Sequence, residues 1–211
     1  MNRNFKIALI VVMVLGFALT VVFAGPLDGL KGGKGSNLKK EDKTLKLSDL
    51  NASLKKYEGT DLDPAKTVKA GYTVFGDADF DKFSASTARV KLALGFANLV
   101  VSDANVKVDK VTKKDELNIL DENVKAAQDV LKPVTTDAGN LVSSGQSIST
   151  SIAGKMKSDP LGYGANGKAM MDIVNAGIET GKNAPPTIKK LGDDLITIAG
   201  KLNAKKSQLT Q

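Results

Sequence analysis

The chain has 211 residues, enough for one domain with a core of its own and short for two. It contains no cysteine, no histidine and no tryptophan. That composition excludes disulfides, thiolate nucleophiles, a lipid-anchoring cysteine, serine–histidine and cysteine–histidine catalysis, and the metal and haem sites that histidine builds. The formal charge is +7, from 30 basic and 23 acidic residues. Only Arg3 and Arg89 are arginines. Lysine is a hydrated point charge that lacks the fork with which arginine grips phosphates and base edges, so nucleic acid is a poor candidate partner and a solvated lysine surface the better reading.

Met1 to Lys6 is short and positive, and Ile7 to Ala24 carries no charge. With Val22-Phe23-Ala24 at its end, residues 1–24 have the three-part layout of a secretory signal peptide. The apolar run also reaches the length of a membrane span, so an uncleaved anchor is the rival reading. Either way the remainder is expected outside the cytoplasm, in the periplasm or secreted. Loss of Arg3 and Lys6 would leave 28 basic residues against 23, or +5.

Residues 25–46, rich in glycine and lysine, read as a flexible leader. Its Gly29-Leu-Lys-Gly-Gly-Lys-Gly stretch fails as a phosphate loop, because Asp28 stands where the first glycine belongs and Gly35 where Ser or Thr is needed. A first short helix is expected from Ser48, as N-cap, to Glu58, with Leu47, Leu50, Leu54 and Tyr57 on one face and Gly59-Thr-Asp ending it. Asn51-Ala-Ser53 has the form of a glycosylation sequon within that helix. Gly71-Tyr-Thr-Val-Phe75 fits either an extended turn or a short strand.

Two long apolar registers follow. Phe80, Phe83, Thr87, Val90, Leu94, Ala97, Val101, Ala104, Val108 and Val111 alternate at spacings of three and four. A second set keeps the same alternation: Leu117, Leu120, Val124, Ala127, Leu131, Val134, Ala138, Leu141, Gly145, Ile148 and Ile152. Each marks one helix face. Extending the first register would put Asp115 and Asn118 in its seam, so the helix must break between them, with Thr112-Lys-Lys-Asp115 resembling a capping box. So short a turn predicts an antiparallel helical hairpin. Pro133 interrupts the second helix, costing about 3 kcal/mol in a helix interior; the seam keeps phase across it, which favours one kinked helix over two.

Ser158-Asp-Pro160 ends that helix, and Leu161 to Gly167 is read as a glycine-rich link. Gly162-Tyr-Gly-Ala-Asn-Gly167 matches the dinucleotide fingerprint in letters, yet no strand precedes it and no parallel-sheet alternation surrounds it, so it is read as a sharp loop. A shorter helix is expected from Asn166 to Thr180, with Met170, Ile173, Val174, Gly177 and Ile178 inward. After a loop from Gly181 to Pro186 comes a last helix carrying Ile188, Leu191, Leu195, Ile198 and Leu202. The polar tail from Ala204 is expected to fray.

The sequence therefore predicts an all-α, elongated antiparallel bundle of four or five helices over residues 47–203, two long ones forming the hairpin, with a polar tail over 204–211. The carboxylates Asp77, Asp79, Asp81, Asp115, Glu116, Asp121 and Glu122 lie near helix starts, where capping explains them; Asp77-x-Asp79-x-Asp81 lacks the glycine and terminal glutamate of a calcium loop. No catalytic, cofactor or metal residue is proposed. Leu92 to Val101 is apolar nearly all round, so Leu92, Leu94, Phe96, Leu99 and Val100 are the candidates for membrane or partner contact should that stretch not be core. The expected function is non-enzymatic binding or structure, with another envelope or extracellular protein, or a second copy, as partner. A membrane-active helical protein is the alternative.

Overall fold

A computed structural model describes residues 38–68 and 70–209. The expected signal segment, most of the expected leader with its Gly29–Gly35 stretch, and the last two residues of the tail lie outside the described residues. Three long helices dominate: α2 (Ala78–Lys107), α3 (Lys114–Ser158) and α4 (Pro160–Gln208). At about 1.5 Å per residue they measure roughly 45, 68 and 74 Å. Before them come strand β1 (Glu41–Thr44), helix α1 (Leu47–Leu50), 3-10 helices at Ala52–Tyr57 and Pro64–Lys66, and strand β2 (Gly71–Val74). The all-α assignment holds, with one small exception. The strands pair antiparallel, Glu41 opposite Val74 and Thr44 opposite Gly71. The ambiguous Gly71 stretch is thus a strand, and its partner comes from the end of the expected leader.

All eleven residues of the second register are buried along α3, which runs unbroken through Pro133. The proline is tolerated because it lies on the exposed side, where water can serve the carbonyl it leaves unpaired. In α2 the register is buried too, apart from half-buried Leu94, and its last members, Val108 and Val111, fill the turn beyond the helix. Asp115 and Asn118 are exposed, as the break between the registers requires. The Thr112 cap does not form. Lys113 is the N-cap of α3 and offers no side-chain hydrogen bond, leaving Asp115 and Glu116 to face the positive helix end.

Two expected loops are helix. Residues 160–208 form one helix rather than two separated by a link and a loop. Asp159 caps it by accepting from the Gly162 N–H at 2.8 Å, and Pro160 occupies the first turn, where its missing N–H costs nothing. The glycines are close-approach points. A methyl at Gly167 would stand 2.5 Å from Met156 Sδ, and one at Gly181 would stand 2.7 Å from Leu141 Cβ. Pro185 and Pro186 face solvent. The fray expected from Ala204 is absent as far as Gln208: Lys205 donates to the Asp109 carbonyl at 2.9 Å and Lys206 to the Asp121 carboxylate at 2.7 Å.

The first helix is also divided. Lys46, not Ser48, is the N-cap of α1, and Asn51 breaks the run in extended conformation, capping the following 3-10 helix through the Ser53 N–H. Leu47, Leu54 and Tyr57 are nevertheless buried, because this amino-terminal segment lies along α2. Gly59, at φ 77°, then turns the chain, and Gly76, at φ 82°, turns it again into α2. With α3, α4 and this segment packed around it, α2 buries residues on nearly every side. Phe75, Phe80 and Phe96 are fully enclosed, each worth roughly 1.5–3 kcal/mol.

Candidate functional site

A buried carboxylate stands where α2 begins. Asp77 caps α2, its carboxylate accepting from the Phe80 N–H at 3.3 Å. The other carboxylate oxygen accepts from Lys155 Nζ at 2.6 Å and from the Tyr163 hydroxyl at 3.0 Å. Lys155 comes from the last turn of α3 and Tyr163 from the first turn of α4, so one carboxylate fastens all three long helices. The ammonium also lies 5.4 Å from the Tyr163 ring centre. Burial pushes the Asp77 carboxyl up, but the hydrogen bonds from Lys155, Phe80 and Tyr163 outweigh it and hold the group below the ordinary aspartate range. The same contact raises Lys155, while burial and then Asp77 raise the Tyr163 phenol.

Asp121 is the counterpart near the other end of α3. It accepts from Lys125 at 2.8 Å and from Lys206 of α4 at 2.7 Å. Burial again pushes upward and the lysine hydrogen bonds prevail, so this carboxyl too is held low. Asp79 and Asp81 lie in the first turn of α2, and Asp81 accepts the Phe75 and Gly76 N–H groups at 2.7 and 3.0 Å. Glu122 pairs with Lys56 at 3.1 Å. Asp77, Asp79, Asp81, Asp115 and Glu116 lie at helix starts as expected, whereas Asp121 and Glu122 stand beyond the first turn of α3 and instead bind lysines, two of them, Lys206 and Lys56, from distant parts of the chain.

Beside Asp81 lies an open depression of about 450 Å³ between the β1–β2 strand pair and α2. Val74, Phe75 and Ala85 form an apolar floor; Tyr72, Lys39, Lys43 and Glu41 contribute the rim. Both Asp81 oxygens are engaged by backbone, so the chemistry on offer is a pair of amines, one exposed carboxylate and a phenol. Among the described residues no group of three or more acidic side chains is placed to hold a metal ion.

The residues singled out for membrane or partner contact do not share a surface. Leu92, Phe96 and Val100 are at most 1 % exposed, while Leu94 and Leu99 are half-buried. The stretch is apolar all round because the amino-terminal segment covers the side that α3 and α4 leave open: the Tyr57 ring lies 5.0 Å from Phe96, and a methyl at Gly95 would stand 2.6 Å from Val68 Cγ2. Among the described residues no helix is long and apolar enough to cross a membrane.

The sequence reading missed Lys155 and Tyr163 because it placed Tyr163 in a loop. A signal was present. Tyr163, Gly167, Met170, Val174, Gly177, Gly181, Ala184, Ile188, Leu191, Leu195, Ile198 and Leu202 keep the four-three alternation without a break, provided glycine counts as a seam residue. Compared with protein-family models, with curated proteins and with solved structures, the chain matches none.

Proposed function

We propose that this chain is an exported, non-enzymatic binding or structural protein of the periplasm or cell exterior. Its partner is another envelope or extracellular protein, or a second copy. The observation that carries this reading is the use made of its most enclosed carboxylates. A general acid near neutral pH needs a carboxyl whose proton affinity is raised. Asp77 and Asp121 are held low instead, each engaged by two side chains, at least one of them from another helix. They act as fasteners. Export is supported by the charge and apolar layout of residues 1–24.

Cross-linking in intact cells, followed by mass spectrometry of the captured species and of the amino terminus, tests the reading. The expected result is a discrete cross-linked protein or a homo-oligomer outside the cytoplasm. Recovery from the cytoplasm alone, or turnover abolished by one substitution in the purified protein, would overturn it. Co-sedimentation with phospholipid vesicles and leakage of their contents would favour the membrane-active alternative.

A further inference from the structure

We propose that the helical bundle contains a joint, at which all three long helices bend together. The contacts of α3 with α4 fix the register: Gly145 faces Ile178, and Gly181 faces Leu141 and Val142. The helices are antiparallel, so Pro133 lies opposite residue 189 or 190 and Pro186 opposite residue 136 or 137. The prolines of α3 and α4 thus stand about three residues apart along the bundle, roughly 4.5 Å and less than one turn. Helix α2 runs parallel to α4 with Phe83 against Gly177, which brings Gly95 to the level of residue 189. The Arg89–Asp137 ion pair, at 3.8 Å, agrees with this alignment.

At this one level α3 and α4 each carry proline, and α2 carries its glycine. Pro133 cannot donate to the Asp129 carbonyl, nor Pro185 and Pro186 to those of Gly181 and Lys182. Gly95, the glycine of α2, has intrinsic backbone freedom, and the amino-terminal segment lies directly on it through Val68 and Pro64. All three prolines are exposed, as are Asp129 and Lys182, whose released carbonyls belong to residues on the side where helices open toward water and bow outward; Gly181 is buried against Leu141. The seam on either side is dense, with Val124, Ala127 and Leu131 buried on one flank and Ala138, Leu141 and Ile152 on the other. Val134, Leu191 and Phe96 keep the seam closed at the level itself, so the softness lies in the missing backbone hydrogen bonds and not in the packing. Arg89 braces this level, pairing with Asp137 of α3 and donating to the Asp49 carbonyl of the amino-terminal segment at 3.4 Å.

Hydrogen exchange of the full chain, resolved by residue, tests a concerted joint against three local weak points. In the parent protein, amides around 134–137 and 187–190 are expected to exchange at least tenfold faster than those of 120–127 and 145–152. Pro133→Ala restores one hydrogen bond in α3 only. A concerted joint requires exchange to slow at least threefold at 187–190 of α4 and around Gly95 of α2 as well, and Arg89→Ala to quicken it at all three places. Circular dichroism of each variant establishes that it retains the parent's helix content. Slowing confined to α3 in a folded Pro133→Ala variant would overturn the proposal, as would uniform protection across this level in the parent.

Discussion

The Tyr57 hydroxyl donates to the Asn123 side-chain carbonyl at 2.9 Å, both groups buried, across 66 residues of sequence. This bond fixes where the amino-terminal segment meets α3. Tyr57→Phe would keep the ring against Phe96 and leave the Asn123 oxygen buried without its donor. We expect a loss of about 1–3 kcal/mol, read from urea unfolding. In Tyr57→Phe/Asn123→Leu the orphaned group is gone as well, so the second substitution should cost less than it does alone. Additive losses would show that the two groups are not coupled.

Asp77 gives a pH dependence of definite sign. Its folded-state carboxyl is held below the unfolded value, so its contribution is present above about pH 4 and lost as pH falls through the folded value. Asp121 acts in the same direction. Lys155 is raised, so its share is complete below the unfolded lysine value and lost as pH rises through the folded one. Asp77→Asn should lower stability by about 1.5–3 kcal/mol at pH 7, as expected for hydrogen bonds to a charged group. It should also flatten the fall in the denaturation midpoint between pH 4 and pH 2. An unchanged acid limb would remove Asp77 from this role.

Glycines of opposite consequence stand in the same helices. A methyl at Gly177 would run into the Phe83 ring and lie 2.8 Å from Thr87 Oγ1, whereas one at Gly139 or Gly200 meets open space. Gly177→Ala should therefore destabilise the bundle by roughly 1–3 kcal/mol through overpacking. Gly139→Ala and Gly200→Ala should each stabilise it by about 0.5–1 kcal/mol through better helix propensity. Thermal melts of the three variants distinguish the positions.

Lys91, half-buried on α2, makes no ion pair among the described residues, and burial alone pulls its ammonium below the ordinary lysine range. Lys91→Met keeps the aliphatic stem and removes the desolvated charge. We expect a gain on the order of 1 kcal/mol at pH 7, a rise in melting temperature of roughly 2–4 °C. Because the folded value lies below the unfolded one, the parent's deficit should shrink as pH rises through the folded value. A variant less stable than the parent at pH 7 would contradict this.

The long helices were legible where seam residues are large. The α3 register of Leu, Val and Ile could be followed through Pro133 because phase survives one missing hydrogen bond. The α4 register was followed through Gly177 but lost at the expected link ending in Gly167 and at the expected loop from Gly181 to Pro186. Glycine usually breaks helices, and only the neighbours Met156, Phe83 and Leu141 explain its place here. The Asp77 cluster was half legible. An aspartate before a helix announces a cap, but Lys155 and Tyr163, 78 and 86 residues onward, are brought to it by packing alone. The β1–β2 pair joins the end of the leader to a stretch 30 residues later, a pairing that local periodicity does not encode.

The links between the long helices are short, so α2 finds α3, and α3 finds α4, with little loop to close. The stretch before α2 is different: the Tyr57 ring can meet Phe96 as soon as α2 exists, but the hydrogen bond of its hydroxyl waits for Asn123 of α3. The docking of this stretch is therefore completed only after α3 has formed, although it is synthesised before the long helices. Unfolding under load or denaturant should run the other way, with this wrapping released while the paired coils behind it still hold.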